Sequence, residues 1–165
     1  MTNNFEYPHT VGQDEIDEQG HANNVVYLAW MQAAALAHSA TLGWTPQRYL
    51  GLGMGWVARS HTIEYLRPAY AGEEIIVQTH VADMKKVTST RLYRIIRRAD
   101  RELLARAETH WAFVNYATGR PTRIPAEIAH AFPLGHRSIE KSRIGCQPAP
   151  PSAGTASTPA KSAEP

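Results

Sequence analysis

Asp17-Glu18-Gln19-Gly20-His21-Ala22-Asn23-Asn24 runs directly into Val25-Val26-Tyr27-Leu28-Ala29-Trp30-Met31, and this junction decides how the chain folds. From Asn24 to Thr41 there is no proline, glycine, acid, lysine or arginine. The stretch predicts a helix of about five turns, capped by Asn23 or Asn24 and ended near Gly43. Its sides are almost all apolar, with Ala33, Ala34, Ala35 and Ala37 among them, so it is expected to be buried at the centre of the fold. The eight residues before it place a carboxylate, an imidazole and two side-chain amides at a helix N-terminus. Free N–H groups and a partial positive charge at such an end suit a polarised carbonyl oxygen. A carboxylate beside it can attack a carbonyl or activate water against one. The pattern therefore suits acyl transfer or hydrolysis.

Working outward, Phe5 to Ile16 reads as an opening strand, and Thr45 to Gly53 as a short helical turn with a glycine-rich loop. Four strand-like segments follow: Gly55 to Leu66, Glu74 to Asp83, Val87 to Ala99 and Leu103 to Tyr116. Ile75, Val77, Thr79 and Val81 share one face of the second segment; Leu103, Ala105, Ala107, Thr109, Trp111 and Phe113 alternate along the fourth. The links at Ala71-Gly72, Lys85-Lys86 and Asp100-Arg101 are as short as hairpins require. Pro125 to Phe132 reads as a short last helix. One strand, one long helix and four antiparallel strands make an α+β layout. The domain is expected to span residues 1–137. Residues 138–165, rich in Pro, Ala, Ser and Thr, are expected to be a disordered tail.

Composition narrows the class. The chain has 165 residues, 43% hydrophobic and 19% charged, enough for one domain with a sizeable core. The single cysteine, Cys146, allows no internal disulfide and no cysteine cluster. Met1 to Glu6 lack the basic and apolar regions of a secretory leader, and no apolar run is long enough for a membrane span. A cytoplasmic protein is expected, with no nucleic-acid partner at a net charge of +2. Eight Lys and Arg crowd residues 85–106 against Asp100 and Glu102. Most are read as a solvated strand face; the sharper reading is a patch for a phosphorylated small molecule. His38, His61, His80 and His110 fall on separate elements, so no metal site is expected, and no cofactor.

Order and motif together now resemble a known family. Asp17-x-x-Gly20-His21-x-Asn23-Asn24-x-x-Tyr27-Leu28-x-Trp30, with Ile63-Glu64-Tyr65-Leu66-Arg67-Pro68-Ala69 and Gly72-Glu73-Glu74-Ile75 downstream, resembles the hotdog-fold thioesterases of the 4-hydroxybenzoyl-CoA thioesterase type. The likeness covers Phe5 to Phe132. It implies a five-stranded antiparallel sheet wrapped around one long central helix. It also implies a homodimer joined sheet edge to sheet edge, which in this family often pairs again into a tetramer. For the site, it implies Asp17 as nucleophile or general base toward an acyl-CoA thioester, with the backbone N–H of Asn24 as oxyanion donor. His21 is a candidate to polarise the carbonyl, protonate the thiolate or hold Asp17. Asn23 is read as cap or pantetheine contact. Lys85 and Lys86 stand where the family holds CoA phosphates, and Thr88 adds a hydroxyl. Tyr27, Trp56 and Val57 are candidate walls of the acyl pocket.

Two departures shape this reading. Plant acyl-ACP thioesterases carry Asp, Asn and His where this chain has Asp17, Gln19 and His21, and their strand glutamate falls at Pro68, which argues against that mechanism. A second hotdog branch uses a glutamate within the long helix, and the predicted helix here has no acid. The alternatives to an acyl-CoA thioesterase are a non-catalytic acyl-CoA-binding hotdog module and a hotdog hydratase or dehydratase.

Overall fold

The computed structural model describes residues 4–135. The tail expected from residue 138 lies outside the described residues. The elements in chain order are β1 (Phe5–Thr10), a 3-10 turn (Gln13–Glu15), α1 (Asn24–Thr41), α2 (Pro46–Leu52), β2 (Met54–Tyr65), β3 (Glu74–Met84), β4 (Thr88–Arg97), β5 (Leu103–Asn115) and α3 (Ala126–Ala131). The opening strand is shorter than expected. Val11 turns into the core, and the 3-10 turn takes over the segment that leads to the motif.

The five strands form one antiparallel sheet in the order β1-β3-β4-β5-β2. Successive hairpins build β3-β4-β5. The chain between β2 and β3 crosses from one end of this meander to the other, which leaves β1 and β2 as edges. The inner face carries Val77, Thr79 and Val81 on β3, paired with Ile95, Tyr93 and Arg91 on β4. On β5 the expected alternation breaks near its start. The register shifts between Ile95 and Ile96, and Leu104 and Ala105 are both buried while Leu103 is not.

Helix α1 matches the predicted limits and lies on the inner face, with Trp30, Met31 and Ala34 packed among Val77, Tyr93, Ile95 and Leu104. Its composition implies burial on every side, but one side of the helix is open. Val25 is 72% and Leu36 55% exposed, on the side that carries Ala29 and Gln32. A second apolar cluster of Trp44, Tyr49, Val81, Phe113, Ile128 and Phe132 closes the far end of α1 beneath α2 and α3. Thr45 caps α2, Pro46 opens it, and Gly53 at φ +69° ends it in the left-handed region. Among the described residues no single helix is long and apolar enough to cross a membrane.

Candidate active site

The segment before α1 is a small loop pinned at its base. Ile16 and Ala22 form an antiparallel bridge, Ala22 N–H donates to Ala69 O at 2.8 Å, and Asn23 N–H donates to Glu15 O at 2.9 Å. Between these anchors Gly20 N–H donates to Asp17 O, and Asp17 N–H to His21 O, both at 3.0 Å. Gly20 holds φ +83°, a conformation in which a side chain would be strained, so glycine suits this turn.

Asp17 is thereby held in front of the helix. Its Oδ1 accepts Gln19 N–H at 2.9 Å, a local turn bond, and lies 3.8 Å from His21 Nδ1. Its Oδ2 accepts no hydrogen bond from the described residues. The side chain is 23% exposed, and Asp17 lines an open depression with Ile16, Glu18, Gln19 and Asn23. Asn23 is the N-cap: its Oδ1 accepts Val25 N–H at 3.0 Å, and its O accepts Val26 N–H at 3.0 Å. The cap thus satisfies the second and third helical N–H groups. Asn24, the first helical residue, has no residue four before it within the helix to accept its N–H. Its carbonyl is fixed by the Tyr65 hydroxyl at 2.9 Å.

Glu15, absent from the sequence-based candidates, anchors this assembly. Its Oε1 accepts the indole N–H of Trp30 at 2.7 Å, and its Oε2 accepts Gly12 N–H and bonds His9 Nε2, each at 2.8 Å. Partial burial alone would raise its pKa. The hydrogen bonds from His9, Trp30 and Gly12, with the His9 charge, outweigh burial and hold it below the ordinary glutamate value. One carboxylate thereby ties β1, the 3-10 turn and the first turns of α1 together. No local pattern reveals this, because the partners sit six residues before and fifteen residues after it.

The remaining candidates scatter. Tyr27 is 2% exposed and packs edge-on against Tyr65 and tilted against Trp30, so it belongs to the core rather than to a pocket wall. Trp56 lines a cavity of about 390 Å³ between α1, α2 and the sheet, with its indole N–H donated to the Tyr49 hydroxyl at 3.1 Å. Val57 stands outside that cavity, 38% exposed on the edge strand β2. Tyr116 closes one wall by lying against Gly55, where any side chain would collide with its ring. Lys85 and Lys86 are exposed in the β3–β4 hairpin, without an ion pair among the described residues. Thr88, half-buried, closes that hairpin by accepting Lys85 N–H on its carbonyl at 2.8 Å.

One basic residue departs from the expected solvated face. Arg91 is 6% exposed and points inward from β4 into the cavity wall. Its Nη1 donates to His38 Nδ1 at 2.9 Å and to Thr79 Oγ1 at 3.4 Å. Burial, with the nearby charges of Arg91 and His80, lowers the His38 pKa to about 4, which matches an imidazole that accepts rather than donates here. The available signal was parity: Arg91 alternates with Ser89, Tyr93 and Ile95. The opposite parity carries Leu92 and Ile96 and is nearly as apolar, so sequence did not settle which face turns in.

Comparison with known proteins decides the family. The model of the thioesterase-like superfamily matches residues 11–132. The chain belongs to this superfamily. The match starts at the buried Val11 and ends at Phe132, so it spans both apolar clusters and the loop of Asp17. An acyl-CoA thioesterase, YbgC, of Haemophilus influenzae is 26% identical over 133 residues, covering 80% of this chain and 96% of the relative. The Escherichia coli acyl-CoA thioester hydrolase YbgC is 24% identical and covers 78% and 95%. Among solved structures, a 1,4-dihydroxy-2-naphthoyl-CoA thioesterase from Synechocystis superposes with a TM-score of 0.73 at 19% identity, over 78% of this chain and 95% of that one. A Staphylococcus aureus protein solved in complex with CoA gives 0.76 at 17% identity, over 92% and 98%. These likenesses establish the hotdog fold, and membership of the superfamily agrees with the expected class of thioester hydrolase.

Proposed function

We propose that this chain hydrolyses an acyl-CoA thioester to a free carboxylic acid and CoA, with Asp17 as the catalytic carboxylate. The observation that carries the reading is the pinned loop, which presents one unengaged oxygen of Asp17 beside a helix entry whose first N–H lacks an intrahelical acceptor. The related YbgC proteins, acyl-CoA thioesterases by name, support the substrate class. In the general-base form, Asp17 takes a proton from water, the hydroxide adds to the thioester carbon, and the oxyanion accepts the Asn24 N–H. Collapse breaks the C–S bond, and the thiolate leaves with a proton from His21 or from water. In the nucleophilic form, Asp17 Oδ2 adds to the same carbon, collapse breaks the C–S bond and expels the thiolate, which takes a proton as above, and water then hydrolyses the mixed anhydride to the free acid and the Asp17 carboxylate. Lys85 and Lys86 are assigned to the CoA phosphates as mobile point charges, with Thr88 beside them.

Assembly is part of the proposal. Strand β2 has twelve residues and hydrogen-bonds to a strand on one side only, and Val25, Leu36 and Val57 are exposed near it or on α1. A long open edge beside exposed apolar side chains suits a sheet-to-sheet homodimer, which pairs further into a tetramer. A cytoplasmic setting completes the reading. The test is free-thiol release from a panel of acyl-CoA esters, short to long aliphatic and aromatic, by wild type and Asp17→Asn. Release that survives in Asp17→Asn removes Asp17 from the chemistry. No release from any ester by folded protein removes the hydrolase reading and leaves an acyl-CoA-binding module.

A further inference from the structure

The cavity beside α1 and the depression at Asp17 have no lining residue in common. The cavity wall begins at Gln32, eight residues into the helix beyond Asn24, or about 12 Å along its axis. Leu36 and Leu50 are the cavity's most exposed apolar lining residues. Trp56, Met84 and Phe132 continue the apolar lining inward. Arg91 is the one charged residue among the described residues that line it.

That cation is the unexplained feature. A buried guanidinium normally faces a carboxylate, because desolvating a charge is costly unless it is paired. The acceptors found on Arg91 are neutral: an imidazole nitrogen of His38 and the hydroxyl of Thr79. No Asp or Glu lines the cavity, and no ion pair of Arg91 occurs among the described residues. A neutral, fully apolar occupant would leave the charge uncompensated. A carboxylate attached to an apolar body would match both the cation and the lining.

We infer that this cavity is a binding site for an organic carboxylate with an apolar chain, its carboxylate seated on Arg91 and its chain running out past Trp56 toward Leu36 and Leu50. Two sources supply such a ligand. One is a free carboxylic acid, the kind of molecule that thioester hydrolysis releases. The other is an acyl-CoA whose acyl group ends in a second carboxylate. The second source rests on the hydrolase reading above; the first does not.

The experiment compares octanoate with 1-octanol, equal in chain length and different in charge, by titration calorimetry and by fluorescence of the tryptophans that include Trp56 and Trp111. A charge-assisted hydrogen bond predicts octanoate binding about tenfold or more tighter than octanol. Arg91→Met is expected to abolish that preference while octanol still binds. Arg91→Lys, which keeps the charge, should retain part of it. Equal affinity of octanoate and octanol for wild type overturns the inference whether or not the variants fold. Retained preference in folded Arg91→Met overturns it equally. Thiol release from suberyl-CoA and octanoyl-CoA then separates the sources. A suberyl preference that vanishes in Arg91→Met identifies the acyl group; equal turnover alongside octanoate binding identifies the free acid. Absence of turnover across the whole panel of esters, with octanoate still bound, refutes the hydrolase reading and leaves the carboxylate site standing.

Discussion

Replacing Glu15 tests whether one half-buried carboxylate holds the catalytic loop. In Glu15→Ala three hydrogen bonds are lost together. Trp30 is 3% exposed, so its indole N–H is left buried without an acceptor, at a cost of about 1–3 kcal/mol. His9 is 26% exposed, and water replaces part of what it and the Gly12 N–H lose, at about 0.5 kcal/mol each. The sum is about 3 kcal/mol. Glu15→Gln keeps an acceptor for Trp30 but turns an amide N–H₂ toward two donors, and is expected to cost about 1–2 kcal/mol. Urea denaturation at fixed slope measures both. The pH dependence supplies an independent check. Because the folded pKa of Glu15 is depressed, the unfolded chain binds more protons than the native one below about 4.5. The stabilisation is therefore full above that pH and is lost as pH falls through the folded pKa. Both variants should lack this loss. Since Glu15 also receives Asn23 N–H on its backbone carbonyl, a disordered anchor should lower kcat more than it raises KM. Glu15→Ala within 0.5 kcal/mol of wild type would refute the reasoning.

Other outcomes follow from the same geometry. Asp17→Asn should reduce kcat by roughly 10²–10⁴ with unchanged urea midpoint, measured by thiol release. Lys85→Ala combined with Lys86→Ala should raise KM for acyl-CoA by about tenfold and flatten its salt dependence, with kcat nearly unchanged. His38, with its pKa lowered to about 4, binds fewer protons when folded than when unfolded between there and 6.5. Its contribution to stability therefore falls as pH drops through that window, and His38→Gln should flatten this slope in denaturation curves. Light scattering should show a dimer or tetramer, and an aspartate at Val25 should shift the distribution toward monomer if the exposed face of α1 lies in the interface.

Local chemistry written in consecutive residues was legible from the sequence. A cap at Asn23 or Asn24, α1 from Asn24 to Thr41 and the strand segments are governed by backbone geometry and periodicity over short spans, which one chain records directly. The hotdog motif added the sheet wrapped on that helix. Tertiary structure decided what depends on distant partners. Tyr27 became core because Tyr65 and Trp30 close over it, whereas Trp56 reached a cavity. Glu15 became an anchor because the fold brings Trp30 and His9 to the same carboxylate. Arg91 turned inward because the register of β4 against β3 places it opposite Val81, on a strand whose two faces are nearly equally apolar. The identity of a side chain fixes what it can bond. Which groups it meets is set by sheet register and packing, where contributions from far along the chain are balanced together.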